Sequence, residues 1–196
     1  ASQARTDTLV WLPDAGVVDL GEGNALVGHG GWGDARLGDF LASPVILNDY
    51  FLIQDLKEAG EGPQTAPLLG VTSLEHKAHL QQALHRLGDD AAVSLRPHLE
   101  QALAESDHVW MLTHVPPFRE ACWHGGKIST DDWLPGFTCQ AMGAMLLDVV
   151  ARHPAVQVTV LCGHTHGEGE ARLLPNLRVL TAGSEYGKPG FRVLPA

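Results

Sequence analysis

The chain has 196 residues, 13 Lys and Arg against 23 Asp and Glu for a net charge of −10, and 44% hydrophobic residues. That length holds one domain with a sizeable core, and the apolar fraction excludes disorder. The acidic balance, with no Lys/Arg-rich run, argues against nucleic acid or an anionic membrane as partner, and no apolar stretch reaches the roughly 18–20 residues of a membrane helix.

Residues 1–8 have no initiator Met, basic segment or apolar segment, so they are not read as a signal peptide and look like the interior of a gene. Short apolar runs at 9–12, 17–20 and 25–27, separated by Pro13-Asp14-Ala15-Gly16 and Gly21-Glu22-Gly23-Asn24, predict strands with turns between them. A glycine-rich loop, Gly28-His29-Gly30-Gly31-Trp32-Gly33-Asp34, follows; no Gly-Lys-Ser/Thr completes it as a phosphate-binding loop. Residues 49–59 predict a short helix ended by Gly60 and Gly62-Pro63.

The strongest helical signal runs over 73–105. Ser73 stands at the N-cap, and Leu80, Leu84 and Leu87, then Leu95, Leu99 and Leu103, share one face. Gly88 and Pro97 argue against a single straight helix. His76, His79, His85 and His98 read as rim histidines, with no acidic or Cys partner at ligand spacing. A strand at 109–112, a helix over 140–152 and strands at 156–161, 171–174 and 177–181 complete one domain over residues 1–196. Cys122, Cys139 and Cys162 form no C-x-x-C pair, which points to a reducing compartment and a cytoplasmic protein; Cys162 reads as a buried filler.

Of the 11 histidines, three stand where chemistry is expected. His114 follows the apolar strand Trp110-Met111-Leu112, and His164 and His166 follow Val158-Thr159-Val160-Leu161. Strand ends fix side chains rigidly while loops shape a cavity around them, and neutral imidazoles gathered there suit a metal. The flanking Gly163 and Gly167 are expected to supply the turn that points both histidines at one site.

Gly163-His164-Thr165-His166, with the upstream Thr113-His114-Val115-Pro116-Pro117-Phe118, the Trp32-Gly33-Asp34 loop and Tyr186-Gly187, resembles a bacterial branch of the calcineurin-like metallophosphoesterases. The resemblance spans residue 9 to the C-terminus. It implies a four-layer αββα sandwich of α/β class, a two-metal phosphomonoesterase or phosphodiesterase, and Mn, Fe or Zn as the ions. It implies that His114 and His164 ligate one ion and His166 the other.

The chain departs from that pattern before His114. No Asp-x-His, Gly-Asp-x-x-Asp or Gly-Asn-His precedes it, so the family's bridging carboxylate, Asn ligand and catalytic His have no counterpart. The resemblance therefore implies a domain whose N-terminal third, with its first strands and helices, is absent, and a chain that is incomplete or inactive alone unless a segment of the same gene completes it. A small phosphorylated compound is the expected substrate. His29, Asp34, Arg119 and His124 are expected on the substrate side, with Lys127, Trp123, Trp133 and Glu185-Tyr186 as further candidates near the mouth. A non-catalytic scaffold that binds a protein partner is the alternative, and a single-zinc hydrolase a third reading that lacks an acidic ligand.

Overall fold

A computed structural model describes residues 5–6, 9–60, 74–188 and 193; the expected cap Ser73 and the stop at Gly62-Pro63 lie outside them. The strand pair β1 (Arg5–Thr6) and β2 (Leu9–Val10) leads into a helical turn, α1 (Leu12–Ala15). The run at 9–12 is thus extended only in its first half. Pro13, in the first turn of α1, has no N–H for a strand ladder and a φ already suited to a helix start. β3 (Val18–Gly21) and β4 (Asn24–Gly28) form a hairpin through Glu22 and Gly23, at φ 50° and 75°. The helix expected over 49–59 is two, α2 (Asp49–Leu52) and α3 (Gln54–Gly60), because Ile53 between them is extended at φ −81°, ψ 119°.

The long helix α4 (Leu74–Glu105) runs through both Gly88 and Pro97. Pro97 removes one hydrogen bond, to the carbonyl of Val93, but both residues face solvent, where water takes the freed carbonyl. Then come β5 (His108–Leu112), a 3-10 turn at Arg119–Ala121, the hairpin β6 (Trp123–His124) and β7 (Lys127–Ile128), α5 (Leu134–Phe137), α6 (Gln140–Val150), β8 (Gln157–Cys162), β9 (Gly169–Leu174) and β10 (Leu177–Thr181).

Six strands form one mixed sheet in the order β3-β4-β5-β8-β10-β9. β4, β5, β8 and β10 are parallel, and β3 and β9 run antiparallel at the edges. α4 connects β4 to β5 and α6 connects β5 to β8. Two crossovers of one hand stepping the same way along a sheet place both helices on the same face, where they pack on each other. Val27, Val109, Met111, Val160 and Val179 point into that layer, fully buried against Leu95, Leu99, Leu146 and Val149. The N-terminal half of α4 carries a second core, in which Leu80 and Leu84 meet Phe40, Tyr50 and Leu56.

The opposite face of the sheet has another character. One row runs Leu26–Trp110–Thr159–Arg178, and the Thr159 hydroxyl lies 2.9 Å from both His108 Nε2 and Arg178 Nε. The next row, Leu112–Leu161–Leu180, leads to the strand ends, and Leu112 is 42% exposed. α4 and α6 lie on the other side; among the described residues α1 sets Leu12 over Gly28 at the β4 edge, and Trp110 and Thr159 in the middle of this face are buried. The architecture is therefore mixed α/β, built on one six-stranded sheet. Among the described residues no helix is long and apolar enough to cross a membrane.

Candidate functional site

β5 and β8 are neighbours in register, Leu112 opposite Leu161, and the two chains stay laced beyond their ends. Thr113 N–H donates to the Leu161 carbonyl at 3.0 Å, and Gly163 N–H donates to the His114 carbonyl at 3.0 Å. This lacing brings together two histidines fifty positions apart, with His164 Nδ1 lying 3.0 Å from His114 Nε2. His164 Nε2 lies 3.2 Å from the Gly136 carbonyl, which can only accept, so Nε2 carries the proton. In the neutral ring Nδ1 is then bare and accepts from His114 Nε2–H.

Burial pushes the pKa of His114 down and, with the nearby His114 ring as second cause, pushes that of His164 down to about 4. Both rings are neutral at pH 7, the form that ligates metals. Trp32 holds them, stacked on His114 at a 6.0 Å centroid distance and edge-on to His164 at 5.2 Å, while Phe137 meets His164 at 5.0 Å.

The turn that carries His164 and His166 is not made by the glycines. His164 and His166 themselves take left-handed backbones, φ 66° and 60°. Non-glycine residues adopt this region at a cost of about 1–2 kcal/mol, and such residues concentrate at functional sites. Gly167 serves another purpose: a Cβ there would sit 2.3 Å from the Trp123 carbonyl oxygen, so the glycine lets β6 lie against the loop. His166 points away to Tyr186, ring to ring at 4.8 Å.

These residues line a cavity of about 600 Å³, whose walls include Trp32, Asp49, Trp133, Phe137 and Tyr186 beside His114, His124, His164 and His166. His124 reaches it from β6 and is fixed through Nδ1, 2.8 Å from the Thr165 carbonyl. Asp49, at the start of α2, was not anticipated. Its negative charge opposes the lowering of both the His114 and His164 pKa values. Asn48-Asp49 reads as the start of a helix, and nothing in its spacing connects it with a loop more than a hundred residues away.

No family model, curated protein or solved structure matches the chain.

The remaining expected site residues are placed elsewhere. His29 accepts from Gly31 N–H at 3.0 Å and lines a separate apolar cleft of about 340 Å³ with Trp11, Leu12, Leu112 and Thr113; His114 borders this cleft as well as the cavity. Asp34 is fully buried and borders neither space. It pairs with Arg36 at 3.0 Å and accepts from Ala141 N–H at 2.8 Å, capping α6 in place of Cys139, whose side chain makes no cap bond. Arg119 is engaged by Asp131 at 2.6 Å. The three cysteines are free and buried, and burial pushes Cys162 up to about 12, which makes it inert as a nucleophile.

With the His114 proton moved from Nε2 to Nδ1, the histidine pair would fit a cation by spacing. Two imidazole nitrogens bound to one ion at about 2.0–2.1 Å lie about 2.9–3.4 Å apart between octahedral and tetrahedral angles, and the observed separation is 3.0 Å. A third ligand is not in place. Among the described residues no group of three or more His, Cys, Asp or Glu is gathered so as to hold a metal ion.

Proposed function

We propose that the chain is the histidine-bearing part of a metal-dependent phosphoester hydrolase of the calcineurin-like kind. The observation that carries this reading is the neutral His114–His164 pair, set 3.0 Å apart at the ends of two parallel strands. His114 and His164 would hold one divalent ion (Mn, Fe or Zn), and His166, which lines the same cavity, would serve the second. Such ions supply Lewis acidity and lower the pKa of water. The chain's own residues do the positioning: Gly136 fixes the His164 tautomer, Trp32 and Phe137 hold the rings, and Thr165 anchors His124 at the mouth.

Two divalent ions need carboxylates to offset their charge, and Asp49 is the one carboxylate lining the cavity among the described residues. The reading therefore includes a second layer over the sheet face opposite α4 and α6, completing the four-layer sandwich and presenting its ligands through the cleft between Leu12, Leu112 and His114. What favours the alternative, a non-catalytic scaffold docking a protein on that face, is that no third ligand is gathered with the pair among the described residues.

Calorimetric titration with Mn, together with turnover of bis(p-nitrophenyl) phosphate, tests the reading. The expected result is weak Mn binding that His114→Ala and His164→Ala each abolish, with at most trace turnover by the chain alone. Robust turnover would refute the incompleteness and keep the hydrolase; no Mn binding at millimolar concentration would overturn the hydrolase in favour of the scaffold.

A further inference from the structure

At the end of the sheet away from His114 and His164, two arginines share the face opposite α4 and α6. Arg178 continues the row Leu26–Trp110–Thr159, and Arg172 is its direct partner in the β10–β9 ladder. Partners of this kind stand about 4.5–5.5 Å apart at Cα with both side chains on one face, and like charges so placed repel.

Arg178 is also tethered. Its Nε–H donates to the Thr159 hydroxyl at 2.9 Å, and His108 Nε2 lies 2.9 Å from the same oxygen while its ring rests against Trp110 at 4.5 Å. One of the five guanidinium N–H groups is thus spent on a buried hydroxyl, and four are left to donate. Arg172 gives one to the Pro175 carbonyl at 3.1 Å. Arg36, Arg96, Arg119 and Arg152 each reach a carboxylate within 3.1 Å. Among the described residues neither Arg172 nor Arg178 does so; Glu170, two positions from Arg172 on the same face, pairs with neither.

The neighbouring row on this face is apolar, with Leu161 and Leu180 partly exposed and Leu112 more so. A free inorganic anion would meet the arginines and leave the leucines as they are, whereas a polypeptide can meet both. We propose that this face docks an acidic segment of polypeptide, with apolar side chains on the leucine row and a carboxylate held between Arg178 and Arg172. A carboxylate accepts two parallel N–H bonds from one guanidinium, which fixes its place on the sheet. The net charge of −10 repels an acidic segment elsewhere, so the arginine pair also sets where it lands. The inference rests on the part of the reading above that lays polypeptide over this face, common to the hydrolase and the scaffold, and it uses no metal.

The test is a metal-free titration of the full chain, followed by the NMR signals of the Arg178 Nε–H and the Trp110 indole N–H. The probes are a capped octapeptide of alternating leucine and serine with glutamate in place of its last leucine, a twin carrying glutamine there, and inorganic phosphate. The glutamate peptide is expected to bind about fivefold tighter than its twin, the effect of one charge-assisted contact at a partly exposed site. Arg178→Gln should erase that difference, and phosphate should not saturate either signal. Arg172 is exposed, so Arg172→Glu folds whatever becomes of the Arg178 variant. It places a carboxylate directly opposite Arg178, and the melting temperature is expected to rise by about 2–4 °C while the glutamate preference disappears. Equal affinity for the twins, or no binding by either, would overturn the acidic segment. Saturation by phosphate without a glutamate preference would overturn it in favour of a free oxyanion. A melting temperature that does not rise in Arg172→Glu would show that Arg178 lacks no anion, which also overturns it. Each of these failures leaves the Mn titration of the histidine pair to decide the hydrolase separately.

Discussion

Asp34 and Asp49 exchange the roles that their neighbourhoods in the chain suggest. Asp34 sits in a glycine-rich loop beside a strand end, the place where substrate contacts are sought, yet it is fully buried and joins three segments: its own loop through Arg36, α4 through the Arg36 contact with Asp89, and α6 through Ala141 N–H. Removing it strips α6 of its cap and leaves Arg36 with the exposed Asp89 and the His85 carbonyl. Asp34→Ala is expected to lower stability by about 2–3 kcal/mol, between the cost of a lost cap and that of a broken buried pair. Urea unfolding measures that loss, and Mn affinity should stay unchanged; a stable variant with altered ligand binding would instead make Asp34 a site residue. The strand-end histidines were legible because an apolar run ending in His marks a position that the sheet itself fixes. Asp49 was not, because it reaches the site through the packing of Tyr50, Leu56 and Phe40 against α4, and long-range packing of that kind leaves no periodic trace.

At the scale of elements, α4 shows where propensity is overruled. Its leucine spacing identifies the buried face correctly, and Leu80, Leu84, Leu95, Leu99 and Leu103 are all inside. Gly88 and Pro97 both look like interruptions, and neither is one. Pro97 is tolerated because its missing bond faces water. Gly88 is needed because a Cβ there would lie 2.6 Å from the Asp34 Cβ, so the helix leaves a notch into which the loop fits. In an exposed helix interior Gly→Ala gains roughly 1 kcal/mol. Here the sign should reverse: Gly88→Ala is expected to destabilise by about 1–3 kcal/mol, the range for overpacking a filled site. The comparison is cleanest by thermal melting beside Asp34→Ala and the double variant. With Asp34 truncated to the same Cβ the clash persists, so Gly88→Ala should remain harmful in both backgrounds. An increase in melting temperature would show that the loop moves aside at no cost. The paired helices α2 and α3 illustrate the converse. One periodic run reads as one helix, and an extended Ile53 in its middle carries no sequence mark.

For the molecule as a whole, α4 and α6 pack on one face of the sheet, and the histidines on or beside the other face connect the fold to pH. The central strands read correctly from their apolar runs because one face is buried under α4 and α6. What lies over the other face was not legible, since Leu112, Leu161 and Leu180 look like ordinary core residues whether or not a layer covers them. On or beside that face stand His29, His108 and His114, with His164 adjoining at the strand ends. Burial lowers the pKa of each, the Arg178 charge adding to the effect at His108 and the His114 ring at His164. A lowered folded-state pKa means that the unfolded chain binds more protons. The stability associated with these groups is therefore complete above the ordinary histidine value of 6.5 and is lost as pH falls toward about 4, where His164 titrates in the folded protein. Among the carboxylates with a resolved shift, Asp148 is fully exposed beside Arg96 and adds nothing that would mask the trend. The urea midpoint is thus expected to fall between pH 7 and pH 5, before ordinary carboxylates titrate, and His164→Gln should flatten part of that fall. A midpoint independent of pH over this range would mean that the four rings accept protons in place, and that the strand ends open to water more freely than their packing against Trp32 and Phe137 implies.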